Sequence, residues 1–150
     1  MLIEGRTLAP GWASGPLLLL DTPLSLWGGI DLADGRIVDR THPQAGACIP
    51  GHILAMPASR GSSSSSSALV ELARAGRAPT AIILTAQDPI LVVGALVADD
   101  LYGIRIPIVT IGTADWPRLH EAGAWTVDAS TASASLRSGG ASRSLPDDAL

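Results

Sequence analysis

The sequence predicts a mixed α/β domain in which a β-rich N-terminal half leads into a C-terminal half built on a parallel sheet. Two patterns carry this. Before about residue 52, strand-like runs are punctuated by Gly and Pro; after it, apolar runs alternate with helical patterns. Length is the third observation: 150 residues, 47% of them hydrophobic, suffice for one compact domain with a core of useful size.

In the first half, Leu2 to Leu8 and Pro16 to Leu20 read as strands, separated by breaks at Pro10-Gly11 and Ser14-Gly15. Residues 21–31, D-T-P-L-S-L-W-G-G-I-D, follow. Gly28-Gly29 gives a backbone that can take positive φ or approach a ligand closely, and a plain turn would use it equally well. Ile30 to Val38 reads as a hairpin turning at Asp34-Gly35. Asp39 to Gly51 is a Pro/Gly-rich connection into the centre of the chain.

That centre runs from His52 to Arg77. Ile53 to Met56 suits a buried strand stopped by Pro57, and Ala58 to Ser62 is a tight polar connection around Arg60 and Gly61. From about Ser63 the pattern turns helical, with Ser65, Leu69, Leu72/Ala73 and Gly76 on one face. A strand, a Gly turn and a helix start together make an anion site, because first-turn amides and the positive end of the helix dipole face whatever sits there. Six consecutive serines, Ser62 to Ser67, also have the composition of a linker. The run is short, however, and is flanked directly by an apolar strand and an apolar helix, and serine is a strong N-cap. The stretch reads as an active centre or half of one, with a purely structural turn as the alternative.

Beyond it, Ala81 to Thr85 is an apolar strand of the kind covered on both faces. Asp88 is a natural N-cap with Pro89 at the first helical position, and that helix should reach about Tyr102 and stop at Gly103. Its first ten residues are apolar on almost every side, which predicts burial, in part against another chain. Pro107 to Ile111 is a further strand, Thr113 or Asp115 caps a short helix through Leu119 that ends at Gly123, and Trp125 to Val127 is a last strand. The alternation implies parallel strands with right-handed crossovers. From about Ser130 the residues are small and polar, so the domain is expected over 1–129 and a flexible tail over 130–150.

Several function classes are disfavoured. A net charge of −4 without a basic cluster argues against nucleic acid. The longest apolar run, Ile90 to Ala98, is interrupted by Gly94 and is too short to span a membrane, and the N-terminus lacks a secretory pattern. A cytoplasmic protein is expected, and a mean hydropathy of +0.33 points to an apolar contact surface. Cys48 is the single cysteine, which excludes an internal disulfide, and His42, His52 and His120 show no metal-ligand spacing. Any metal must come mostly from elsewhere.

Taken in order, P-L-S-L-W-G-G-I-D-L-A-D-G-R-I-V-D-R-T-H-P, S-R-G-S-S-S-S-S-S, R-A-P-T-A-I-I-L and D-P-I-L-V-V-G-A-L-V resemble the small swivelling domain of the aconitase X family. The resemblance covers about residues 3–128. It implies a swivelling β/β/α domain that closes over a larger domain or subunit carrying an iron–sulfur cluster. Bacterial members are similar to cis-3-hydroxy-L-proline dehydratases, which yield Δ1-pyrroline-2-carboxylate, and archaeal members to phosphomevalonate dehydratases. In the family the serine after the Arg-Gly of the Ser loop is taken as the catalytic base, here Ser62. Arg60, Gly61 and Ser63 would line the substrate site, with Trp27, Gly28, Gly29 and Asp31 on a second loop facing the same cleft.

The chemistry constrains this reading. A serine hydroxyl is a poor base, and each unit of pKa lowering needs about 1.36 kcal/mol of preferential alkoxide stabilisation. A helix N-terminus supplies roughly 0.3–1 kcal/mol, so amides, a nearby cation and exclusion of water must act together. Arg60 could grip a substrate carboxylate as a bidentate pair, or bind its own turn's carbonyls. Trp27 could wall the site or pack in the core, Ser63 could donate to substrate or cap the helix, and His42 suits a structural role beside Pro43. Capping accounts for Asp88. The absence of Lys favours the hydroxyproline branch over one that needs a phosphate pocket. The rival class is a non-catalytic anion- or nucleotide-binding module, against which stands the lack of a Gly-x-x-x-x-Gly-Lys-Ser/Thr pattern.

Overall fold

The computed structural model describes residues 1–121 and 123–139. Seven strands close into a barrel in the order β1-β5-β4-β3-β2-β6-β7, with β7 returning to β1. They are β1 (Leu2–Ala9), β2 (Gly11–Leu19), β3 (Ile53–Ala55), β4 (Ala81–Leu84), β5 (Ile108–Ile111), β6 (Ala124–Ala129) and β7 (Ser133–Ser138). A single turn, α1 (Leu26–Gly29), and two helices, α2 (Ser65–Arg74) and α3 (Pro89–Tyr102), complete it with a 3₁₀ segment at Trp116–Glu121.

Of the strands expected to run parallel, β3, β4 and β5 do so, and β2 of the N-terminal half joins them in parallel on the other side of β3. β6 departs from this arrangement and runs antiparallel to β2, pairing Val127 with Ala13. Hydrophobic patterning reports which faces are buried, and a strand buried on both faces looks the same whichever way its neighbour runs. β2 also passes straight through Ser14-Gly15, where a break was expected. The predicted tail needs a larger correction. Ser133 to Ser138 pairs with both β1 and β6, burying Ala134 and Leu136 and so closing the barrel. The domain therefore continues past 129; its small residues hid a period of two. The expectation for 140–150 lies outside the described residues.

Because side chains alternate across a strand, the sheet has two cores. Inside the barrel lie Ile3, Ala13, Ile53, Ile83, Val109, Trp125, Val127 and Leu136. Outside, Leu54, Ile82, Leu84 and Ile108 pack against Leu69 and Leu72 of α2 and Leu91, Ala95 and Ala98 of α3. Each such aliphatic side chain contributes about 1.5–3 kcal/mol on burial, so the helices are held firmly to the sheet. The two helices meet at Gly94, where a Cβ would stand 2.9 Å from the Ser66 carbonyl oxygen.

α3 begins and ends as its sequence dictates: Asp88 accepts from the Leu91 amide at 3.1 Å, and Gly103 takes a left-handed φ of 65°. Its burial is one-sided. Leu91, Gly94, Ala95 and Ala98 face inward, whereas Ile90, Val93, Leu96, Leu101 and Tyr102 are exposed. α2 starts at Ser65, and Gly76 lies beyond its end in a left-handed turn rather than on its buried face.

Candidate functional site

The parallel strands β2, β3 and β4 deliver their following loops to one rim of the barrel, the end where open α/β sheets place their ligands. The Ser loop leaves β3 there and is tied down at several points. Thr85 donates both its amide (3.0 Å) and its hydroxyl (2.9 Å) to the Pro57 carbonyl. Leu24, on the loop after β2, forms a parallel bridge with Ser59, and the Arg60 amide donates to the Leu24 carbonyl at 3.1 Å. The Ser59 hydroxyl donates to the Asp88 carboxylate.

The chain then turns at Gly61, with φ +94° and Ser25 Oγ standing 3.4 Å from where a Cβ would be. Space is not the constraint there; the positive φ is, since a side chain would be strained in that conformation, which accounts for glycine at this position. Ser62 follows. It is half-buried, and its Oγ accepts from the Ser64 amide at 3.1 Å, while its carbonyl accepts from the Ser65 amide at 3.0 Å. The hydroxyl thus sits in the entry to α2 with one amide already aimed at its oxygen and, among the described residues, no acceptor for its own proton. Among the described residues, the amides of Gly61, Ser62 and Ser63 donate to no protein acceptor. Arg60, Gly61 and Ser63 are exposed.

The structure brings the second loop alongside. Leu24 and Ser25 flank the Ser loop, and Trp27 and Gly28 stand exposed beyond them. Trp27 is 53% accessible, which removes core packing as its role. Gly28 has φ +82° with nothing near its Cβ position, whereas Gly29 is buried against Leu24 and its carbonyl accepts from the Val38 amide. Asp31 is committed differently: its Oδ1 accepts from the Ala33 amide, and its backbone pairs with Gly35 and Arg36 in the hairpin turn. His42 is buried, with Nδ1 accepting from the Gln44 amide; Nε2 therefore carries the proton and donates to the Thr22 carbonyl at 2.9 Å. It holds the second loop in place.

Sequence reasoning missed other parts of the site. Asp88 does more than cap α3, because its second oxygen holds Ser59, 29 residues away in the chain. Asp39 stands near enough to Arg60 to feel its charge. The Thr41 hydroxyl and then the Thr41 amide hold the Asp39 carboxyl below its ordinary value, with smaller help from His42 and Arg60. The Arg60 guanidinium itself makes no hydrogen bond or ion pair among the described residues.

Neither of two sizeable concavities is lined by Arg60, Ser62 or the second loop. One of about 470 Å³ lies on the same rim beside Thr85, lined by Glu4, Arg6, Gln87 and Gly112. Another, of about 450 Å³ between Trp12 and Ile104, opens at the other ends of the parallel strands and contains none of the site residues. Among the described residues no group of three or more His, Cys, Asp or Glu could hold a metal, and Cys48 stands alone, so they do not fit an iron–sulfur cluster.

The sequence and the fold are similar to those of known proteins. Cis-3-hydroxy-L-proline dehydratase of Pseudomonas aeruginosa is 49% identical over 111 residues, covering 74% of this chain and 19% of that protein. The Hypocrea jecorina protein of the same name is 37% identical over 145 residues, 97% of this chain and 24% of its own. The chain thus spans about a fifth to a quarter of the length of these relatives. Phosphomevalonate dehydratase small subunit of Methanothermobacter thermautotrophicus is 37% identical over 98 residues, 65% of this chain and 75% of that subunit. The solved structure of Thermococcus kodakaraensis aconitase X in its holo form superposes with a TM-score of 0.77 at 28% identity, covering 91% of this chain and 98% of the matched one. The family model of the aconitase X swivel domain matches residues 2–135, from β1 through the first half of β7 and across both loops of the rim. The chain belongs to the aconitase X swivel-domain family.

Proposed function

We propose that this chain is the swivelling part of an aconitase X-type hydro-lyase and supplies Ser62 as the base that takes the α-proton of a hydroxy acid. The observation that carries the proposal is the Ser62 hydroxyl itself, half-buried at the start of α2 with the Ser64 amide on its oxygen. One amide and a helix end, worth roughly 0.3–1 kcal/mol, fall well short of ionising a serine. The rest must come from Arg60, from the free amides of Gly61, Ser62 and Ser63, and from a partner that shuts out water. The isolated domain is therefore inactive, and closing it on the partner switches Ser62 on.

Within this reading Arg60 grips the substrate carboxylate, Gly61 and Ser63 line the site, and Trp27 and Gly28 form the opposing wall, with Gly29 buried beneath them against Leu24. Asp31 contributes through its Oδ2, the oxygen not used by its turn. The partner is the large aconitase X-type subunit or domain, as the greater length of the dehydratase relatives supports. The iron–sulfur cluster belongs to that partner, since this chain has a single cysteine. The same cysteine count suits the reducing cytoplasm.

The substrate favoured is cis-3-hydroxy-L-proline, on the 49% identity to an enzyme of that name. A phosphomevalonate dehydratase-type small subunit is the second reading, supported by relatives whose own length this chain largely covers. Reconstitution with the large partner decides between them. Dehydration of cis-3-hydroxy-L-proline is expected; turnover of mevalonate 5-phosphate alone would reverse the choice. Ser62→Ala should lower kcat by at least about a thousandfold while assembly and iron content stay parental. Near-parental turnover in that variant would move the base elsewhere.

A further inference from the structure

We infer that Asp88 and Ser59 form a positioning clamp that fixes the Ser loop to helix α3, and that turnover depends on it. This deepens the reading of Ser62 as base and rests on it.

The clamp is built from two elements of unequal rigidity. α3 is a fixed reference: Leu91, Ala95 and Ala98 are buried in the outer core, and Gly94 brings it against Ser66 of α2. The stretch 58–61 is the opposite, a polar connection with no apolar anchor of its own beyond partly buried Ala58. Among the described residues, a single side-chain hydrogen bond ties 58–61 to the scaffold, from the Ser59 hydroxyl to Asp88 Oδ2.

Capping does not account for that bond. Asp88 Oδ1 already accepts from the Leu91 amide, which fulfils the N-cap role completely, and an Asn or Ser would serve there as well. What Asp adds is a second anionic oxygen, and a hydroxyl bonded to a carboxylate is a stronger and more directional tether than one bonded to a neutral group. Ser59 lies only three positions before Ser62, and the intervening Arg60 and Gly61 carry the proposed carboxylate grip and the turn. The backbone ties of this stretch, the Leu24–Ser59 bridge and the Arg60 amide on the Leu24 carbonyl, lead to the second loop and not to α3, so releasing the Ser59 hydroxyl lets the guanidinium, the free amides and the base shift together with that loop. A misplacement of ~1 Å in reacting groups costs on the order of a hundredfold in rate.

The test uses the assembled dehydratase. Ser59→Ala leaves the α3 cap untouched and should lower kcat on cis-3-hydroxy-L-proline about ten- to a hundredfold, with KM changing much less. Ser59→Thr keeps the hydroxyl and should restore most of the rate. Asp88→Ser keeps a cap but is too short to reach Ser59, and should match Ser59→Ala; the double variant should be no worse than either single one. Hydrogen exchange at amides 60–64 should quicken in Ser59→Ala and Asp88→Ser and return to parental in Ser59→Thr. Parental kcat and parental exchange in Ser59→Ala would overturn the clamp. If Ser62→Ala remains active, the assignment of the base fails instead, and the exchange measurement still decides whether the clamp exists.

Discussion

α2 and α3 lie side by side on the same face of the barrel, yet their outward surfaces could hardly differ more. α2 turns serines and the Glu71–Arg74 ion pair outward, and its buried side is Ser65, Ala68, Leu69, Leu72 and Ala73. α3 turns Ile90, Val93, Leu96, Leu101 and Tyr102 outward, with Asp99 and Asp100 as its charged residues. One helix is finished by the chain it belongs to; the other exposes Ile90, Val93, Leu96 and Leu101 on its outward side, apolar surface of the kind that marks an interface. Arg74, Arg105 and Arg118 each pair with a carboxylate; Arg60 on the Ser loop, like Arg6, Arg36, Arg40, Arg77 and Arg137, forms no ion pair among the described residues. The unfinished helix and the unfinished loop are joined, because the cap of α3 holds Ser59 and the Ser66 hydroxyl donates to the Ile90 carbonyl. These two bonds make the two elements neighbours, and we propose that the large partner closes both.

Placing charge on α3 is the strongest way to break this contrast. Val93 and Leu96 are about half exposed, at 52% and 49%, so Val93→Asp with Leu96→Asp should leave the melting temperature of the chain within a few degrees. Assembly with the large partner should weaken on the order of a thousandfold, as expected when two central apolar contacts of an interface are each replaced by an unpaired charge. Ser67→Asp on the outer face of α2 is the control and should assemble normally. A dissociation constant unchanged by the α3 double variant, measured by sedimentation or calorimetry, would place the partner elsewhere.

The seam between the helices gives the next effect. A Cβ on Gly94 would meet the Ser66 carbonyl oxygen at 2.9 Å and Ser66 Cα at 3.2 Å, both backbone atoms that move only if a helix moves. Gly94→Ala gains about 1 kcal/mol of helix propensity but pushes the helices apart, and overpacking of this kind costs about 1–3 kcal/mol. A net fall in thermal stability is expected. A rise would mean that the seam is looser than its geometry indicates.

Much of this was legible in the chain. Asp88-Pro89 and Gly103 bracket α3 because capping is local chemistry, and the Pro57-terminated apolar run followed by Arg60-Gly61 marks the Ser loop for the same reason. The parts that stayed hidden are non-local. The direction of β6, the pairing of Ser133–Ser138 and the Ser59–Asp88 bond depend on residues far apart in sequence, and periodicity carries no record of partners. β7 was concealed further by its small residues, whose alternation of buried Ala134 and Leu136 with outward serines is weak in composition. Trp27 shows the reverse limit: its size suits a core as well as a wall, and exposure alone distinguishes the two.

The smallest effect sharpens the contrast between paired and unpaired arginines. Asp39 is the carboxylate whose ionisation feels Arg60, but Thr41 dominates, through its hydroxyl at 2.6 Å and its amide at 2.9 Å. With its folded-state pKa lowered, Asp39 contributes stability above its ordinary value, and that contribution is lost as pH falls through the lowered one. Being exposed, it registers better in its own titration than in global unfolding. Carboxyl-detected NMR should show Thr41→Val moving the Asp39 titration upward, toward the ordinary carboxylate value, and Arg60→Ala moving it upward by less. The order of those shifts matters for the site. Were Arg60→Ala the larger, the guanidinium would be held by Asp39 and no longer free to meet a substrate carboxylate. The expected order leaves it available to the ligand.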